Sequence, residues 1–156
     1  MFRHLLVPTD GSSLSRETIA KAVAFASENS ARLTFLHVQP EVFGPSNVSL
    51  FGDGMVVNPG WSEELLRANQ AYASQVLQQA EALATAAGVR SEGITVVGSV
   101  IYEAILDEAK RHGCDLIFMA SHGRRGLAGF LLGSETQRVL THSSLPVLVY
   151  RTPEGP

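Results

Sequence analysis

One cysteine, Cys114, and two lysines, Lys21 and Lys110, are all that the 156 residues contain of these types. A single thiol excludes an intrachain disulfide. Its place at the head of an apolar run marks Cys114 as a small buried residue rather than a nucleophile, and the usage fits a reducing compartment. Basic residues are outnumbered, 12 Lys and Arg against 15 Asp and Glu, for a formal net charge of −3. Nucleic acid is therefore not expected as a partner, because it is met by a basic face. No apolar run approaches the roughly 20 residues that span a bilayer, and no secretory signal pattern precedes the first strand. A cytoplasmic protein without a membrane partner is expected.

Catalytic signatures are sparse as well. Gly123, Gly126 and Gly129 read GxxGxxG, which is neither the dinucleotide pattern GxGxxG nor a P-loop with its lysine. Ser121-His122 suggests a nucleophile and base, but no GxSxG elbow surrounds it, and neighbours at a strand end are expected to point in different directions. His4, His37, His112 and His142 lack metal-ligand spacing, and core or helix-end roles account for them, His112 and His142 lying near helix C-termini.

What is present is an apolar chain, 45% hydrophobic and 17% charged. That suits one globular domain over residues 1–156, of a size that buries roughly two-thirds of its unfolded surface. No internal repeat or second core is visible. Leu5-Leu6-Val7 before Pro8 is a short apolar run of the kind buried on both faces of a parallel sheet. Ile19, Ala22, Val23 and Ala26 then recur at helical spacing, and Leu33 to Val38 supply a second strand, which completes a βαβ unit. Residues 39–60 hold three Pro and four Gly without a period and predict a long flexible excursion. Trp61, Leu65, Ala68, Tyr72, Val76, Leu83 and Ala87 predict the apolar stripe of a long helix stopped at Gly88. Ile94 to Val97 form a third strand. Ile101, Ala104, Ile105 and Ala109 mark a helix ended at His112-Gly113, Asp115 to Met119 a fourth strand, and Val147 to Tyr150 a fifth, following a helix from Glu135. Strands alternating with helices argue for an open parallel α/β sheet, whose ligands sit beyond the carboxyl ends of the strands.

The segment Ala120 to Ser134 is the candidate site. A strand that opens into a Gly-rich loop and then a helix presents unpaired backbone N–H groups at one point, the geometry that binds phosphate. Gly123, Gly126, Gly129 and Gly133 are free to take φ > 0 and let backbone approach a ligand closely, and Ser134 is expected to cap the helix, with Gln137 closing a capping box.

Pro8-Thr9-Asp10-Gly11-Ser12, Leu36-His37-Val38, Ser121-His122-Gly123, Leu132-Gly133-Ser134 and the terminal Pro-Val-Leu-Val strand together resemble the universal stress protein family over essentially the whole chain. The resemblance implies a five-stranded sheet of order 3-2-1-4-5 with helices on both faces, a Rossmann-like fold of the adenine nucleotide alpha hydrolase type. It also implies ATP binding and a homodimer. The ATP-binding pattern is Gly, two residues, Gly, nine residues, then Gly followed by Ser or Thr. Gly123, the nine residues Arg124 to Leu132, and Gly133-Ser134 match it, while Ala120 stands at the first Gly.

Carried onto this chain, the resemblance assigns nucleotide contacts to Pro8, Thr9, Asp10, Val38, Met119, Ala120, His122, Gly123, Arg124, Gly133, Ser134, Glu135 and Thr136. Asp10 would accept from ribose hydroxyls and the Val38 backbone would meet the adenine edge. Read from the residues alone, Asp10 has a second role open to it, capping the first helix. The amides around Gly123 and Gly133 to Glu135 would hold phosphates, assisted by Arg124 and Arg125, the latter equally readable as a solvated loop residue. A cation such as Mg²⁺ would be held mainly by nucleotide oxygens.

Two function classes compete. One is an ATP-binding stress-response or regulatory protein with little or no turnover; the other is a dimeric interaction module of the same fold that binds no nucleotide. A phosphoryl- or adenylyl-transfer enzyme would need a base, and His122 is the only candidate near the loop. Regulatory protein partners are expected, and the last strand, an apolar sheet edge, is the expected dimer contact.

Overall fold

The computed structural model describes residues 1–39, 41, 59–122 and 132–151, with backbone alone for 59–62. Five strands and four helices alternate among them: β1 (His4–Pro8), α1 (Ser13–Asn29), β2 (Arg32–Gln39), α2 (Pro59–Ala86), β3 (Ser91–Val97), α3 (Ile101–Arg111), β4 (Leu116–Ala120), α4 (Ser134–His142) and β5 (Val147–Tyr150). All strand pairs are parallel and the order is β3-β2-β1-β4-β5, as the resemblance implied. β1 is central, so its run is buried on both faces. Leu5 and Val7 join a core with α1 and α2 that includes Phe35, Ala22 and Ala84. Leu6 faces the other way, onto Ile105 of α3 and Val139 of α4.

The long helix differs from its predicted stripe. Its buried face is Ala73, Val76, Leu77, Ala80 and Ala84. Leu65 and Leu83 are each 46% exposed, and Ala68 and Ala87 are exposed too. Residues 63–71 are exposed apart from half-buried Asn69, whose carbonyl accepts from Gln39 Nε2 (3.0 Å), and among the described residues α2 buries a continuous face only from Tyr72 onward. Ile101, at the start of α3, is likewise 41% exposed. The predicted excursion is shorter than read: β2 runs through Gln39 and α2 begins at Pro59, and residues 40 and 42–58 lie outside the described residues, as does the Trp61 side chain.

The amino ends of the strands are tied by polar groups. The Asp115 carboxylate accepts from the backbone N–H groups of Arg3 and His4. On the α3 face, buried His4 donates from Nε2 to Thr34 Oγ1 (2.8 Å), and Thr34 donates to Glu92 Oε1 (3.0 Å). His112 Nδ1 meets the same Glu92 oxygen at 3.1 Å and its Nε2 lies 3.4 Å from Glu108. His4 Nδ1 has no partner among the described residues. Burial, then the nearby Arg32 charge, holds the His4 pKa below its ordinary 6.5. The Thr34 hydrogen bond, with a smaller contribution from His112, holds Glu92 below its usual value. Cys114 is buried as expected, which pushes its thiol up to about 12.

Candidate nucleotide site

β1 lies between β2 on one side and β4 on the other, so the crossovers leaving β1 and reaching β4 run on opposite faces and open a crevice beyond their carboxyl ends. Two segments meet this crevice.

The first is the turn after β1. Thr9 is held down by four bonds: its N–H donates to the Leu36 carbonyl (2.8 Å), its hydroxyl pairs with Ser15 Oγ (2.6 Å) and accepts from the Gly11 N–H (3.4 Å), and its carbonyl accepts from His37 Nδ1 (2.9 Å). A carbonyl only accepts, so His37 carries its proton on Nδ1. Asp10 Oδ1 accepts from the Ser12 N–H (2.9 Å), and Ser12, not Asp10, caps α1 by accepting from the Ser15 N–H at 3.2 Å. The capping alternative for Asp10 therefore gives way to a turn-closing role one step upstream. Gly11 adopts φ +77°, a left-handed conformation that suits glycine.

The second is the start of α4. Gly133, with φ −60° and ψ 150°, is the N-cap and makes no side-chain cap bond, so the expected cap at Ser134 and its capping box with Gln137 are not formed. The helix begins one residue early because the Gly133 carbonyl already accepts from the Gln137 N–H (3.0 Å). Glycine is required here by close approach and not by a positive φ. The Gly133 N–H donates to the Ser121 carbonyl (2.8 Å), and a Cβ at 133 would lie 3.0 Å from His122 Cα. Thr136 adds a second tie, from its hydroxyl to the Ala120 carbonyl (3.0 Å). The helix N-terminus is thus clamped onto the end of β4, and the amides of Ser134, Glu135 and Thr136 have no acceptor within their own helix.

The Glu135 carboxylate is occupied elsewhere. It accepts from the Tyr102 N–H (2.9 Å) in the first turn of α3, whose N-cap Val100 has no side chain able to cap. It also meets Arg138 at 3.3 Å. Ser121 and His122 correct another expectation, since Ser121 Oγ and His122 Nδ1 are 3.2 Å apart. The chain turns as it leaves β4, which brings the neighbours together. Ser121 is only 2% exposed, so the pair offers no accessible nucleophile.

Of the remaining positions, Pro8 ends β1, Met119 is buried in β4, and Val38 lies near the end of β2 beside Val96 of β3. Gly123, Arg124 and Arg125 lie outside the described residues. Sequence pattern marks His37 and Tyr72 only as core and helix-stripe residues, yet both bond the β1 turn. The Tyr72 hydroxyl donates to the Asp10 carbonyl (2.7 Å). The available signal for His37 was its place beside Val38 at the strand end; Tyr72 had none, since a tyrosine in an apolar stripe reads as packing.

A cleft of about 510 Å³ lies at the opposite end of the sheet, lined by Arg3, Arg32, Arg90, Ser27, Ser30 and their neighbours. Neither α1 nor α2 has a base in its own last turn, and the arginines share this cleft with Ser27 and Ser30 at the end of α1 and Gly88 just past α2.

A family model described as the universal stress protein family matches residues 1–151. A Bacillus subtilis protein named Universal stress protein YxiE is 34% identical, the match covering 97% of this chain and 100% of the relative. The solved structure of MJ0577, from Methanocaldococcus jannaschii, superposes with a TM-score of 0.79 at 28% identity and covers 99% of each chain. A universal stress protein in complex with cAMP superposes with a TM-score of 0.68 at 25% identity, over 97% of this chain and 99% of that one.

Proposed function

The chain belongs to the universal stress protein family, and from that membership we propose that it is an ATP-binding regulatory protein of the stress response with little or no catalytic turnover. The observation that carries the proposal is the clamped N-terminus of α4. Three helix-start amides held beside the end of β4 by Gly133 are a site for phosphate oxygens, where the helix dipole favours negative charge. Asp10 at the neighbouring strand end supplies an acceptor for ribose hydroxyls, and the Val38 backbone would meet the adenine edge. The cAMP complex of a relative supports an adenine nucleotide as the class of ligand.

Gly133, Ser134, Glu135 and Thr136 would hold phosphates through their backbone, and Gly123 and Arg124 are assigned the same end of the ligand. Among the described residues no group of three or more His, Cys, Asp or Glu is placed to hold a metal. A Mg²⁺ ion would therefore ride on the nucleotide oxygens, with the Ser134 hydroxyl reaching it through water. Turnover is expected far below the roughly 1–100 per second of kinases, because the Glu135 carboxylate is committed to α3 and no P-loop lysine exists. The working protein is proposed to be a cytoplasmic homodimer paired through β5. None of the described helices is long and apolar enough to cross a membrane.

Calorimetric titration with ATP, ADP, AMP and cAMP, with and without Mg²⁺, tests the reading. Binding of ATP is the expected result. No binding at millimolar ATP would overturn it in favour of a dimeric interaction module.

A further inference from the structure

Asp10 is the one carboxylate assigned to the ribose, and the peptide units on either side of it are gripped from two different elements. From β2, His37 Nδ1 donates to the Thr9 carbonyl at 2.9 Å. From α2, the Tyr72 hydroxyl donates to the Asp10 carbonyl at 2.7 Å. The two rings brace each other edge to face, with centroids 5.7 Å apart and planes at 66°. The fit is matched to the next residue: a Cβ at Gly11 would land on the Tyr72 hydroxyl and 2.8 Å from Val76 Cγ2. Glycine at 11 thus serves its φ of +77° and also leaves the space that the hydroxyl fills.

We propose that Tyr72, braced by His37, is a positioning residue of the nucleotide site, orienting the Asp10 carboxylate toward the ribose and tying nucleotide affinity to the seating of α2. The physical reason lies in the sequence of bonds. With the Thr9 and Asp10 carbonyls both pinned, the Asp10 side chain is held where its Oδ1 also accepts from the Ser12 N–H at 2.9 Å. Released from Tyr72, the Asp10 peptide can rotate, and the carboxylate divides its time among orientations of which one meets the ribose. This inference rests on the assignment of Asp10 to the ribose made above.

The test is Tyr72→Phe, which keeps the ring and removes the hydroxyl. Loss of one hydrogen bond in the positioning of the turn is expected to weaken ATP binding about five- to tenfold. Affinity for 2′,3′-dideoxy-ATP, which lacks the hydroxyls that Asp10 would accept from, is expected to be the same in variant and wild type. A general packing defect would weaken both nucleotides equally, and that result, or unchanged ATP affinity, overturns the proposal. The nucleotide-free protein provides a separate reading: amide exchange at Ser12 should speed up in Tyr72→Phe while the Phe35 amide in β2 is unchanged. Should wild type bind no nucleotide, the functional reading fails by itself, and unaltered Ser12 exchange would then sink the positioning role as well.

Discussion

Replacing Gly133 by alanine adds one methyl group at the point where α4 meets the end of β4. The new Cβ would stand 3.0 Å from His122 Cα, 3.2 Å from His122 Cβ and 3.4 Å from the Ser121 carbonyl oxygen. Carbon atoms in comfortable contact are about 3.5–4.0 Å apart, so the backbones must separate by roughly half an ångström. The strand side has little room to yield, because the Ser121 N–H is itself bonded to the Tyr150 carbonyl of β5 at 2.9 Å. With φ at −60°, alanine suffers no conformational penalty, and the whole cost is overpacking, about 1–3 kcal/mol. For a chain of this size that lowers Tm by about 2–4 °C per kcal/mol. The 2.8 Å bond from Gly133 to Ser121 would stretch, and the amides at the start of α4, proposed to hold phosphate, would move away from β4. Gly88→Ala is the control: φ there is +69° with nothing within 4 Å of the added Cβ. It should cost about 1–2 kcal/mol through backbone strain alone. Denaturant titration should show both variants destabilised, and calorimetry should show ATP affinity lost only in Gly133→Ala. Wild-type stability together with wild-type affinity in Gly133→Ala would refute the clamp.

Acid should destabilise the fold in two stages. His4 has a folded pKa below 6.5, so the unfolded chain takes up its proton first and stability falls as pH drops below about 6.5. Glu92, also depressed, adds a further loss below its ordinary value of 4.5. Urea midpoints at pH 7.5 and 5.5 should differ in wild type and differ less in His4→Gln; equal slopes would remove His4 from the explanation. Cys114, buried with its thiol raised to about 12, should resist a disulfide reagent at pH 8 until urea unfolds the chain, and prompt labelling of native protein would contradict its placement. The Ile117 and Ser121 amides donate to the Pro146 and Tyr150 carbonyls, so strand alternation turns the Val149 N–H toward the open edge of β5. Val149→Pro should therefore spare the β4 pairing and shift the mass seen by light scattering from dimer to monomer, whereas an unchanged dimer would move the interface off this strand.

The strands and their order of appearance were legible in the chain, because the central strands β1, β2 and β4, largely buried on both faces, are written as local apolar runs, and the partly exposed edge strands β3 and β5 still carry short apolar, β-branched ones. The resemblance supplied the order 3-2-1-4-5, and the paired registers agree with it. Gly133 stood out as a special position from sequence, but the backbone it approaches, that of His122, did not. A glycine chosen for φ and one chosen for close approach look alike until the neighbouring backbone is in place. The capping of α3 by Glu135 joins positions 33 residues apart, and the grip of Tyr72 on Asp10 joins positions 62 apart. Neither pair has a local signal, since helical and strand periodicities report only which way a side chain faces, not which distant backbone it meets. Local pattern therefore determined the elements and marked the segment Ala120 to Ser134 as the candidate site. The tertiary structure decided which face of α2 is buried, where α4 begins, and which side chains hold the Asp10 turn, because each depends on two segments arriving at the same place from opposite ends of the sequence.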